Sequence, residues 1–175
     1  MKPMLKIFLF YQVSSFLVGA AIYSIAAYAL ELRWVFGSLY RMFEYHVEHP
    51  FQYVFVVSVC FASVATGYAS KVSASVGWKR RIRILTILAS SIVMASVPGG
   101  VLWKIHDMQA GYFPQGMKFW SDLAEGAVMG LELGWLIVLL SFPYNLCCAF
   151  VAYWLVVGGM RLAPPKQRVS QLQTP

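Results

Sequence analysis

Three carboxylates in the stretch SDLAEGAVMGLELGW, Asp122, Glu125 and Glu132, are spaced by three and seven residues. On a helix that spacing places them on one face. The residues between them are apolar, so the segment reads as membrane-embedded. Ionisable groups at that depth are costly and belong in a bundle interior or beside water. Carboxylates so placed could pass a cation or a proton, with Glu125 and Glu132 forming rings in an oligomer. They could instead be structural. Asp122 and Glu125 suit the positive end of a helix dipole at the headgroup level, and Glu132 could pair with a hydroxyl or with Lys104.

A second group of chemically capable residues is EYHVEH (44–49), which offers His46 and His49 beside Glu44 and Glu48, and HD, which adds His106 and Asp107. Imidazole with carboxylate suits zinc, copper or iron, so a divalent or transition metal is the alternative these donors allow. The spacing is not the H-E-x-x-H of a zinc protease, and His49 stands before Pro50, where helical geometry is disfavoured. No cofactor is required by anything else. G-x-S-x-G, P-loop and G-x-G-x-x-G motifs are all absent, which removes the common nucleophilic and phosphate-binding chemistries. The reading is non-enzymatic.

Two stripes of small residues recur every fourth position: Gly126, Gly130 and Gly134, and Ser58, Ala62 and Thr66. In membranes such stripes let helix backbones touch. They point to a subunit that packs against copies of itself or against a partner membrane protein.

The elements that must position these groups follow from composition. The 175 residues are 59% hydrophobic and 12% charged, with a mean hydropathy of +0.64. Soluble domains are about half apolar and about a quarter charged, so the bilayer is the expected solvent. The net charge of +7 lies mostly beside apolar runs, which is how topology is written. No basic face is interleaved with stacking aromatics, so nucleic acid is not an expected partner. Cys60, Cys147 and Cys148 all fall within apolar runs and read as small buried hydrophobes.

The spacing predicts an all-α bundle over 1–163 with four transmembrane helices at about 7–30, 51–69, 84–103 and 121–162. The first is longer than a signal-peptide core, so AYA (27–29) is read as part of a span rather than a cleavage site. Residues 31–50 alternate apolar and polar at helical spacing, as an amphipathic helix lying in the headgroup layer would. Residues 70–83 and 104–120 are expected as surface loops, and Pro98 as a kink or a broken end. The fourth apolar stretch is expected to kink near Pro143, and 164–175 to be a flexible tail.

Four crossings put both termini on one side with Lys71, Lys79, Arg80, Arg81 and Arg83, and leave Arg33, Arg41, Lys104 and Lys118 opposite. The positive-inside rule makes the richer side cytoplasmic, in an inner or plasma membrane. Lys79, Arg80, Arg81 and Arg83 would then anchor topology and meet anionic headgroups or a cytoplasmic partner. Every acid and every histidine falls on the outer half. Trp34, Trp78, Trp103 and Trp120 lie near span ends, the usual aromatic belt.

Overall fold

In the computed structural model, which describes residues 3–30, 49–111, 118–140 and 144–162, every described element is helical. Helix α1 spans Pro3–Ser24 and continues as a π-helical turn, Ile25–Ala29, so AYA lies within the helical run. Then come α2 (Pro50–Ser73), α3 (Gly77–Gln109), α4 (Phe119–Leu140) and α5 (Tyr144–Gly159). Among the described residues, three helices are long and apolar enough to cross a membrane: Met4–Ala29, Pro50–Ser73 and Gly77–Gln109. At 1.5 Å per residue α3 is about 50 Å long, so its ends project beyond a hydrocarbon core of about 30 Å.

The bundle is apolar on its outside. Leu5, Leu9, Val13 and Leu17 form an exposed row on α1, as do Phe51 and Phe55 on α2 and Leu146, Phe150 and Trp154 on α5. A water-soluble domain rarely shows apolar surface on this scale; a bilayer demands it. Where α2 crosses its neighbours, several buried side chains are small. Ala62, Ala65 and Ala69 of α2 are buried at the crossing with α1 and α3. Lipid is as apolar as leucine, so close contact rather than expulsion from water holds such helices together.

The main core joins one end of four helices: Ile7 and Tyr11 from α1, Phe61 and Val72 from α2, Ile84 and Ile87 from α3, and Val156 from α5. Tyr11 is wholly buried, edge-on to Phe61 with ring centroids 5.8 Å apart. Its ring occupies the space a side chain at Gly159 would need. The next residue, Gln12, donates from Nε2 to Ser58 Oγ over 2.9 Å, and the Ser58 hydroxyl donates to the Phe55 carbonyl. Thus the Ser58–Ala62–Thr66 stripe is consumed inside the chain, with all three residues buried.

Helix α5 runs antiparallel to α1. Cys148 packs by the Tyr23–Ala27 cluster, while Val156 and Gly159 meet Tyr11. The end of α5 therefore lies at the same end of the bundle as the start of α1 and the α2–α3 turn.

Four expectations change. The stretch 70–83 is not a loop, because α2 reaches Ser73 and α3 begins at Gly77, leaving only residues 74–76 between them. Arginines make so tight a turn satisfiable. Arg80 Nε donates to the Ser75 carbonyl over 2.8 Å, and Arg83 donates to the Lys71 carbonyl. These oxygens lie at or just beyond the end of α2, where helices leave carbonyls without internal partners. Residues 104–109 are also helical. The run KIHDMQ contains no breaker, and α3 stops only at Ala110, followed by Gly111 with φ +80°, the left-handed turn that ends many helices.

Of the kink or broken end expected at Pro98, the broken end is absent, since α3 is helical on both sides of it. Proline is tolerated in membrane helices where neighbours satisfy the freed backbone. Finally, the described part of 121–162 is two helices rather than one. They part company, α4 lying on α3 and α5 on α1. The predicted interfacial helix and tail, and Pro143 itself, lie outside the described residues.

Candidate functional site

The glycine stripe of α4 faces α3 of the same chain. A Cβ on Gly126 would strike the Gly100 carbonyl and the Lys104 stem; one on Gly130 would strike the Ser96 carbonyl and the Gly100 backbone; one on Gly134 would strike Ser96. Each step of four along α4 meets a step of four backwards along α3, so the two helices are antiparallel and in backbone contact. Gly100 is equally committed, since a Cβ there would meet the Gly126 carbonyl and the Gly130 backbone. The groove on α3 is Ser96, Gly100 and Lys104, a second stripe with the same four-residue period. In the sequence Pro98 in VPGG suggests a break and hides this stripe, although its spacing matches that of α4.

Filling that seam turns the carboxylates outward. Of the three, Asp122 is half-buried in the first turn of α4, where its charge suits the dipole. Glu125 is 59% exposed and reaches back to Lys104, with Nζ to Oε2 at 3.6 Å. The sequence named Lys104 as a partner for Glu132; geometry gives it to Glu125, because Lys104 lies opposite Gly126. Lys104 itself is buried, its stem laid over that glycine and its Nζ 6.0 Å from the Trp103 ring.

The pair's worth follows from its exposure. A solvent-facing carboxylate contributes little, so Glu125→Gln should cost at most about 1 kcal/mol in reversible unfolding in detergent. Lys104→Met keeps the stem and should stay equally close. Lys104→Ala removes packing against Gly126 and should cost about 2 kcal/mol. Equal losses for Met and Ala would show that the charge, not the stem, matters.

Glu132 stands alone in kind. It is exposed on α4, thirteen residues past Phe119, about 20 Å along the axis. Its neighbours on that face are Ala124, Val128 and Leu131, also exposed. The lysine opposite α4, Lys104, pairs with Glu125.

Of the proposed metal donors, His46 lies outside the described residues. His49 caps α2, with Gln52 and Tyr53 donating backbone N–H to its carbonyl. His106 is buried near the end of α3, and its ring lies edge-on to His49 with centroids 6.0 Å apart. The fold thus brings two of the named histidines together from separate helices. Among the described residues, however, no group of three or more His, Cys, Asp or Glu side chains is arranged to hold a metal.

The basic cluster divides. Arg80 and Arg83 are committed to the α2–α3 turn, while Lys79 and Arg81 are exposed. None of the three cysteines is in a disulfide: Cys60 is buried, Cys148 half-buried and Cys147 exposed. No protein-family model, curated protein or solved structure matches the chain.

Proposed function

We propose that this chain is a non-enzymatic subunit of a membrane assembly and docks on its neighbour through the outer face of α4. That face comprises Ala124, Glu125, Val128, Leu131 and Glu132. The observation that carries the reading is Glu132, a carboxylate exposed two-thirds of the way along α4, well beyond Asp122 and Glu125 in the first third of that helix. A charged side chain at the bilayer centre costs about 2.5–3.5 kcal/mol on insertion scales. In the chain alone nothing described offsets that cost. A neighbour presenting a cation or a hydrogen-bond donor would.

Both small-residue stripes are spent on packing within the chain, so the assembly face is set by Glu132 and the apolar residues around it. With α4 and α5 together making the fourth crossing, both termini are cytoplasmic and the basic α2–α3 turn faces the same way, in keeping with its lysines and arginines. There Lys79 and Arg81 are the side chains left to meet anionic headgroups or a cytoplasmic partner.

Affinity purification of the tagged full-length chain from its own membrane, followed by native mass spectrometry, tests this. The expected product is an assembly of defined stoichiometry, either of copies or with a second membrane protein. A chain recovered as a bare monomer in several mild detergents would overturn the proposal. A reporter fused after Pro175 should be active on the cytoplasmic side; activity on the far side would reverse the assigned orientation.

A second reading is favoured by one feature, the shared outward face of Glu125 and Glu132. In a ring of copies these carboxylates would line a common axis and favour cations. Unchanged ion flux in liposomes carrying Glu132→Gln would eliminate it.

A further inference from the structure

Between α1, α2, α3 and α5 lies a cavity of about 140 Å³. It has no part in the α4 face or the glycine seam. Its walls are mostly apolar side chains such as Val18, Val57, Leu88 and Leu155, with Tyr53, Cys148 and three serines, Ser15, Ser58 and Ser91, among them. Each serine hydroxyl already donates to a carbonyl of its own helix. Ser15 bonds Tyr11 at 2.6 Å, Ser58 bonds Phe55 at 2.7 Å and Ser91 bonds Ile87 at 2.6 Å. The serines therefore offer acceptor lone pairs and no free proton.

A buried water typically makes about three hydrogen bonds, and these walls are poorly equipped to supply them. Apolar cavities of this size, about 150 Å³ in an engineered protein, stay dry and take up apolar guests such as benzene or xenon. The position selects the guest. Ser15 and Val18 lie near the middle of the α1 span, Met4–Ala29, where the surrounding medium is hydrocarbon. The packing supplies a way in, because α5 rests mainly on α1 and touches α3 and α2 less.

We infer that this cavity takes up the hydrocarbon chain of a bilayer lipid, which enters between α3 and α5. The chain fills space whose lining would otherwise lack contact partners. Its terminal methylenes are held by Val57, Leu88 and Leu155, while its headgroup stays outside the bundle.

The probe is phosphatidylcholine carrying a diazirine near the methyl end of one acyl chain, mixed into vesicles containing the full-length protein. After illumination, adducts are mapped by peptide mass spectrometry. Adducts are expected on the cavity walls, around Ser91 and Ala152, and on the outward residues Leu9 and Leu17. Ala152→Leu fills the cavity from α5, and Ser91→Val does so from α3 while giving up only a hydroxyl bonded to its own helix. In either variant the wall adducts should be lost while those at Leu9 and Leu17 persist, which also reports that the bundle remains folded. Labelling confined to Leu9 and Leu17 in the unaltered protein would overturn the inference. So would wall adducts that survive both substitutions in a folded protein.

Discussion

Gly130→Ala should part α3 from α4, and Gly100→Ala should do the same from the other side. The added methyl at either position meets backbone: the Ser96 carbonyl and Gly100 Cα in the first case, the Gly126 carbonyl and Gly130 Cα in the second. A flexible side chain could swing aside; a carbonyl held in a helix cannot. Overpacking usually costs about 1–3 kcal/mol, and contact with backbone places these two at the upper end, about 3 kcal/mol each. The measurement is reversible unfolding in mixed micelles, followed by helical circular dichroism or steric trapping.

Gly67→Ala is the internal control. A Cβ there meets nothing within 4 Å, and alanine is the better helix former by about 1 kcal/mol, so stability should hold or rise. Because Gly100 and Gly130 share one contact, the double variant should cost clearly less than the sum of the two. Full additivity would mean that the seam is not the shared contact described.

Glu132→Leu should change two measurements in opposite directions. On the proposed fourth crossing, replacing this exposed carboxylate in the chain alone should favour insertion by about 2.5 kcal/mol or more, read as a larger inserted fraction in a translocation assay. For the assembly, the same substitution removes the group its neighbour recognises, and co-purification of that neighbour should fall sharply. Glu132→Gln separates two kinds of neighbour. An amide retains hydrogen bonding and loses charge, so a partner donor tolerates it and a partner cation does not. A loss in both measurements would point to a structural role for Glu132 within the chain.

The positions of the helices could be read from the residues; their pairing could not. Pro50 marked the start of α2 because proline's missing N–H costs nothing in a first turn, and the structure begins that helix there. Apolar run length announced the three spans. The glycine stripe announced a close contact but not with what. A stripe is a property of one helix, and its complement on α3 lay in a segment where Pro98 resembled a break.

Polar composition misled in the same way at 104–109 and 70–83. Their charge predicts loops, yet the helices run on past the apolar segments, as membrane helices do when their ends are solvated or capped by arginine. The Lys104–Glu125 pair and the meeting of His49 with His106 depend on helix pairing, so they were legible only as lists of candidates. The small-residue stripes suggested assembly with other chains. The fold spends them internally, and the proposed assembly rests on Glu132 instead.

The most direct test of that transfer is site-specific photocrosslinking in the native membrane, with benzoylphenylalanine replacing Val128 on the outer face of α4. Leu17, which is 60% exposed on α1 against 55% for Val128, is the comparison site. Val128 is predicted to yield a discrete protein adduct, identical in mass from one preparation to the next, while Leu17 yields lipid adducts alone. Lipid adducts alone at both positions would contradict the account and leave Glu132 facing the bilayer.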